Sequence, residues 1–152
     1  MIKSFKISVS QHTLNNIYSK VKNYPWNLIQ NVNGWEYGTN YNYLKNISKY
    51  WASKYNWKKY EKKINSFSNY KTKVKGLNIH FIKEKSKNPK SRPLLLLHGW
   101  PGSVIEFLDI IPKLAHPEKF GGKKDDGFDV IVPSLPGFGF STPIKKAMGP
   151  RE

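Results

Sequence analysis

A chain of 152 residues that is 38% hydrophobic and 14% aromatic has the material for one buried core, and neither proportion is that of a disordered segment or a membrane bundle. No run of about 18 apolar residues occurs, the start at Met1 to Ile7 lacks the features of a cleaved leader, and without cysteine there is no disulfide framework. The formal charge of +16 invites a nucleic-acid partner, but only Arg92 and Arg151 carry the planar fork that suits phosphates and base edges, so a lysine-coated surface is the expectation.

Residues 1–68 read as helices and connections. Ser10 is placed to cap a helix through Leu14, Ile17 and Val21, whose spacing of three and four puts them on one face. Tyr24-Pro25-Trp26 ends it. A second helix is expected after Asn42, with Leu44, Ile47, Tyr50, Trp51 and Tyr55 as its apolar stripe and Lys45, Lys49 and Lys54 opposite. A shorter helical piece covers Lys58 to Asn65, and Gly34 and Gly38 mark a connection. Tryptophans 26, 35, 51 and 57 fall in or beside these helices, where they are expected to pack rather than to stack on bases.

The pattern then changes to strands. Tyr70 to Val74 alternates, Lys75 to Asn78 supplies a turn, and Ile79 to Ile82 runs back, which predicts a hairpin. Leu94 to Leu97 is apolar on both faces, as in a buried parallel strand. Ser103 and Glu106 have the spacing of a capping box, opening a helix that turns Val104, Phe107, Leu108, Ile111 and Leu114 inward until Pro112 bends it. Phe128 to Val132 is a second short apolar strand. Strand, helix and strand with a right-handed crossover predict one βαβ unit, so the fold class is α/β with a helical N-terminal segment.

The chemistry gathers at the strand ends. His98-Gly99-Trp100-Pro101-Gly102-Ser103 follows the Leu94 strand directly, and Pro133-Ser134-Leu135-Pro136-Gly137-Phe138-Gly139-Phe140-Ser141 follows the Phe128 strand. At the carboxyl ends of parallel strands the backbone turns sharply into the crevice where open α/β sheets bind ligands, and an amide placed there can stabilise a developing oxyanion. Gly137-Phe138-Gly139 lacks the third glycine of a dinucleotide fingerprint. His12, His80 and His116 have no spacing that suggests a metal.

With Trp51, Trp57 and Lys63-Ile64-Asn65-Ser66-Phe67 ahead of the hairpin and both loops, residues 4–150 resemble the microsomal and juvenile-hormone type epoxide hydrolases of the α/β-hydrolase superfamily. That resemblance implies an aspartate that attacks an epoxide carbon to give a covalent ester, a histidine with an acidic partner that activates water, lid tyrosines that protonate the epoxide oxygen, and a vicinal diol product. It implies no metal or organic cofactor. It also implies that the backbone amide of Trp100 contributes to the oxyanion hole and its indole lines the pocket, with His98, Gly99 and Pro101 shaping the loop. His98 is expected as a turn residue with a satisfied imidazole rather than as a proton shuttle.

The nucleophile of that family sits on an elbow of the Gly-x-Asp-x-Gly kind, and no such pattern occurs here. Asp125 and Asp126 precede the Phe128 strand and cannot occupy an elbow that follows it. No match to the later acid, base or lid is found either. The expectation is therefore a helical epoxide hydrolase segment over 1–68 and the first part of a hydrolase core over 69–152, an incomplete fold that is inactive alone. In the family's strand order the Leu94 strand would have one unpaired side, open to the missing half, to another copy or to another polypeptide. The alternatives are a non-catalytic interaction protein using that edge, or a basic nucleic-acid binder. Residues 1–91 hold 18 basic and 3 acidic side chains and residues 92–152 hold 8 and 7, together the 26 and 10 of the chain. The location expected is cytoplasmic, or peripheral at the endoplasmic reticulum membrane through the lysine-rich first half.

Overall fold

The computed structural model describes residues 1–31, 34–145 and 149, so the end of the stretch that carries the resemblance lies largely outside them. The chain forms two compact units, Ser8–Glu61, and Met1–Ile7 with Lys62–Glu152.

In the first unit the helices start where small polar side chains can serve the orphan amides of a first turn. Ser10 accepts the N–H of Thr13 at 3.1 Å and opens α1 (Gln11–Lys22). Asn40 accepts the N–H of Tyr43 at 3.0 Å and opens α2 (Tyr41–Ser53), two residues before the start expected after Asn42. Leu14 is buried, and the Tyr18 hydroxyl donates to the Tyr55 carbonyl at 3.3 Å. The α2 stripe differs from expectation, since Leu44, Ile47, Tyr50 and Trp51 are all exposed. The helix forms and packs on α1, but the described residues of the unit lay no further layer over that face. Helix α3 (Trp57–Asn65) carries Glu61, whose carboxylate accepts from the Val9 N–H at 2.7 Å, the Trp57 indole at 3.0 Å and the Lys58 ammonium at 2.8 Å.

The second unit is built on a five-stranded sheet. Strands β2 (Asn69–Val74) and β3 (Leu77–Glu84) form the predicted hairpin, pairing Val74 with Leu77 across Lys75-Gly76. Both turn residues have positive φ, 45° and 84°, which makes the two-residue turn whose twist suits the strands. The turn is thus shorter than expected. A short strand β1 (Lys3–Ser4) lies along β2, in a stretch read as helical or connecting. Local tethers hold it there: Phe5 donates to the Asn69 carbonyl at 2.9 Å, and the Asn65 amide both accepts from and donates to the backbone of Ile7, at 2.9 and 2.8 Å.

Strand β4 (Pro93–Leu95) runs parallel to β5 (Asp129–Pro133), which pairs antiparallel with β3, giving the order β1-β2-β3-β5-β4. The crossover departs from the predicted single helix. The capping box forms, with Glu106 accepting the Ser103 N–H at 2.9 Å, yet it opens only a tight turn at Val104–Phe107. Helix α4 is the short piece Ile111–Ala115, because Pro112 brings no N–H and fits only the first turn of a new helix. Val104, Leu108 and Ile111 are buried as expected, beside Ile7, Ile64, Ile82, Val130 and Val132. Each of these side chains contributes roughly 1.5–3 kcal/mol by leaving water. Strand β4 is not buried on both faces: it ends the sheet, and Leu95 and Leu97 are 56% and 57% exposed. Among the described residues no helix is long and apolar enough to cross a membrane.

Candidate active-site loops

Parallel pairing delivers both loops to one end of the sheet. Past β4, the Leu96 N–H still reaches the Ile131 carbonyl at 2.9 Å, so the chain enters His98 in strand register. His98 is 3% exposed and satisfied on both ring nitrogens. Its Nε2 accepts the backbone N–H of Leu135 at 3.1 Å, which puts the proton on Nδ1, and Nδ1 donates to the Gly99 carbonyl at 3.0 Å. The imidazole is therefore neutral and joins the two loops, with the Phe138 ring edge-on at 5.3 Å.

Trp100 follows, 84% exposed, with a cis peptide to Pro101. Among the described residues its amide has no hydrogen-bond acceptor. A Cβ has open space at Gly99, but at Gly102 it would come within 2.7 Å of the Gly99 carbonyl and against the Glu106 carboxylate. Glycine is required at 102 so that the chain can double back into the capping box. Asp125 and Asp126 lie in a tight turn at Lys124–Asp126, ahead of β5 rather than in the loop that follows it. Among the described residues no three His, Asp or Glu side chains converge as metal ligands would.

A polar cluster that the sequence reading missed holds the second loop from below. His80 on β3 is fully buried, with Asn69 on one side and Ser134 on the other. The Asn69 Nδ2 donates to the carbonyls of Ile64 and Phe67 at 2.9 and 2.8 Å, leaving its Oδ1 as an acceptor 2.9 Å from His80 Nε2. His80 therefore carries its proton on Nε2, and Nδ1 accepts the Ser134 hydroxyl at 2.9 Å. Ser141 closes the loop by accepting the His80 N–H at 3.0 Å and donating to the Ser134 carbonyl at 2.7 Å. Burial, then the Lys71 charge, pushes the His80 pKa down to about 4, so the ring is neutral. The one available signal was a histidine inside an otherwise apolar strand, at Ile79-His80-Phe81-Ile82.

A sheet that joins a hairpin to a parallel βαβ pair, with a glycine-bearing loop leaving the parallel strand ends, is the start of an α/β-hydrolase fold, and residues 92–149 match the family model described as alpha/beta hydrolase fold. Residues 2–107 match the family described as epoxide hydrolase N terminus, and the chain belongs to that family. It is similar to a putative epoxide hydrolase of Stigmatella aurantiaca, 45% identical over 92% of this chain and 32% of the relative. It is similar also to epoxide hydrolase 1 of Oryctolagus cuniculus, 40% identical over 95% of this chain and 33% of the relative. Among solved structures, the juvenile hormone epoxide hydrolase of the silkworm Bombyx mori superposes with a TM-score of 0.81 at 38% identity, covering 96% of this chain and 35% of that one. The epoxide hydrolase of Aspergillus niger does so with a TM-score of 0.75 at 28% identity, covering 96% and 38%. The chain thus spans about a third of the length of the curated relatives it matches.

Proposed function

We propose that this chain supplies the oxyanion-hole half of an epoxide hydrolase site, in which an epoxide and water give a vicinal diol through an aspartyl ester. The amide of Trp100, without an acceptor among the described residues, lies in the loop that leaves a parallel strand and beside its own exposed indole, and it carries this reading. In that role the amide meets negative charge that develops on the ester oxygen, and the indole forms one wall of the pocket. His98, Gly99 and Pro101 hold the loop, His98 through Leu135. The nucleophile, acid and base find no counterpart in these 152 residues, so the chain is inactive by itself. The exposed outer side of β4 favours a partner that adds a strand there, either the polypeptide that bears the nucleophile or a second copy.

The test is co-expression with the remaining two thirds of a homologous epoxide hydrolase, assaying diol formation from a simple aryl epoxide. Diol is expected only when both polypeptides are present. Trp100→Pro, which removes the amide, should lower turnover by about 10²–10³-fold, and Trp100→Ala, which keeps it, should lower it less. Absence of diol from a stable complex, or full turnover with Trp100→Pro, refutes the reading.

A further inference from the structure

Ser134, His80 and Asn69 have the connectivity of a nucleophile, a base and an orienting group, each link 2.9 Å long. The three are buried, at 1%, 0% and 4% exposure, so no substrate reaches the serine and the chain of bonds cannot act as a catalytic triad. What it can do is hold backbone. Ser134 is the first residue of the second loop beyond β5, and the next residue, Leu135, presents the N–H that His98 accepts. At Gly139 a Cβ would lie 2.9 Å from the Ser134 hydroxyl, so the loop folds closely over this point.

We propose that His80 is the positioning residue of the 133–141 loop, fixing Ser134 so that Leu135 meets His98 and the two pocket loops are held as one. This rests on the proposed function only in taking the loops as pocket walls. The fit of a neutral ring is specific. Asn69 offers Nε2 an acceptor because both of its own N–H groups are spent, and Nδ1 receives a hydroxyl proton, so a second ring proton would have no acceptor. The other groups around the ring agree. Phe5 and Phe140 stand edge-on at 5.6 and 5.3 Å, Ser141 accepts the His80 N–H, and the Lys71 ammonium lies 4.0 Å from the centre of the Phe5 ring. Burial and that ammonium both favour the uncharged imidazole.

Hydrogen exchange read by mass spectrometry on the full chain tests this without substrate. Exchange at the imidazole carbon across a pH series is expected to give His80 a midpoint well below the ordinary imidazole value of 6.5. In Ser134→Ala, amide exchange over Leu135 to Ser141 is expected to rise about tenfold, the worth of one lost hydrogen bond, while Val130 and Val132 change little. A His80 midpoint at the ordinary value of 6.5 overturns the proposal even where the variant does not fold. Equal acceleration in loop and sheet, or none in the loop, overturns it as well, since a residue that merely stabilises the core would loosen both together. Neither readout depends on diol formation, so failure of the latch and failure of the hydrolase reading are separately visible.

Discussion

The imidazole of His98 accepts the backbone N–H of Leu135 at 3.1 Å, across the two loops that leave the parallel strands. This one bond makes the HGWP loop dependent on the conformation of the next loop. His98→Ala should cost about 1–3 kcal/mol by leaving the Leu135 amide without its acceptor. Because Ser134 sets the same amide from the other side, His98→Ala and Ser134→Ala should be coupled by at least about 0.5 kcal/mol in a double-mutant cycle. Urea denaturation of the four proteins measures this, and simple additivity would show that the two loops are held independently.

Stability should fall with acid in a window set by His80. Its folded pKa, about 4, lies below the ordinary 6.5, so the unfolded chain binds more protons between these values. The contribution is intact above about pH 6.5 and is lost as the pH falls toward 4, by up to about 3 kcal/mol. His80→Leu should be less stable at pH 7 yet show a flatter profile between pH 6.5 and 5, read from urea midpoints. An unchanged slope would assign the acid sensitivity to other groups.

Glu61 anchors the lead into α1. Burial raises its pKa, but the bonds from Lys58, the Val9 N–H and the Trp57 indole outweigh this and hold the carboxyl below its ordinary value. Glu61→Ala leaves the Val9 and Trp57 donors unsatisfied and should cost about 1–3 kcal/mol. Glu61→Gln, which keeps an acceptor oxygen, should cost less. Thermal melts of the two variants decide, and equal losses would mean that charge rather than hydrogen bonding is what matters.

The outer edge of β4 should make the isolated chain self-associate. Leu95→Lys places a charge on this edge strand, a common means of blocking strand addition, and should shift sedimentation toward monomer with little loss of stability, since Leu95 is more than half exposed. If the variant sediments like the parent, association runs through another surface, and the exposed α2 stripe is the next to probe.

Local features of the fold were legible in the residues because their causes are local. Ser10 caps α1 and Ser103 with Glu106 closes a capping box through bonds spanning two or three residues. The hairpin and both loops follow from alternation and from glycine and proline placement. The HGWP and PSLPGFGFS stretches and the segment before them pointed to the epoxide hydrolase family, to which the chain belongs. Lengths were less legible: a hydrophobic pattern continuous from Val104 to Leu114 predicted one helix, while the missing N–H of Pro112 divides it.

What only the tertiary structure decided is which polar groups are buried together and which apolar ones are left open. The family's strand order led us to expect an unpaired side on β4, but the periodicity of Leu94 to Leu97 predicted burial on both faces, and the exposure of Leu95 and Leu97 depends on neighbours supplied by distant segments. Likewise Asn69, His80 and Ser134 are 11 and 54 residues apart in sequence, and only His80, inside an apolar run, stands out for its place. Only when β2, β3 and β5 lie side by side do their hydrogen-bonding groups, cut off from water, have to satisfy one another, and that requirement selects the tautomer of His80 and the position of the loop above it.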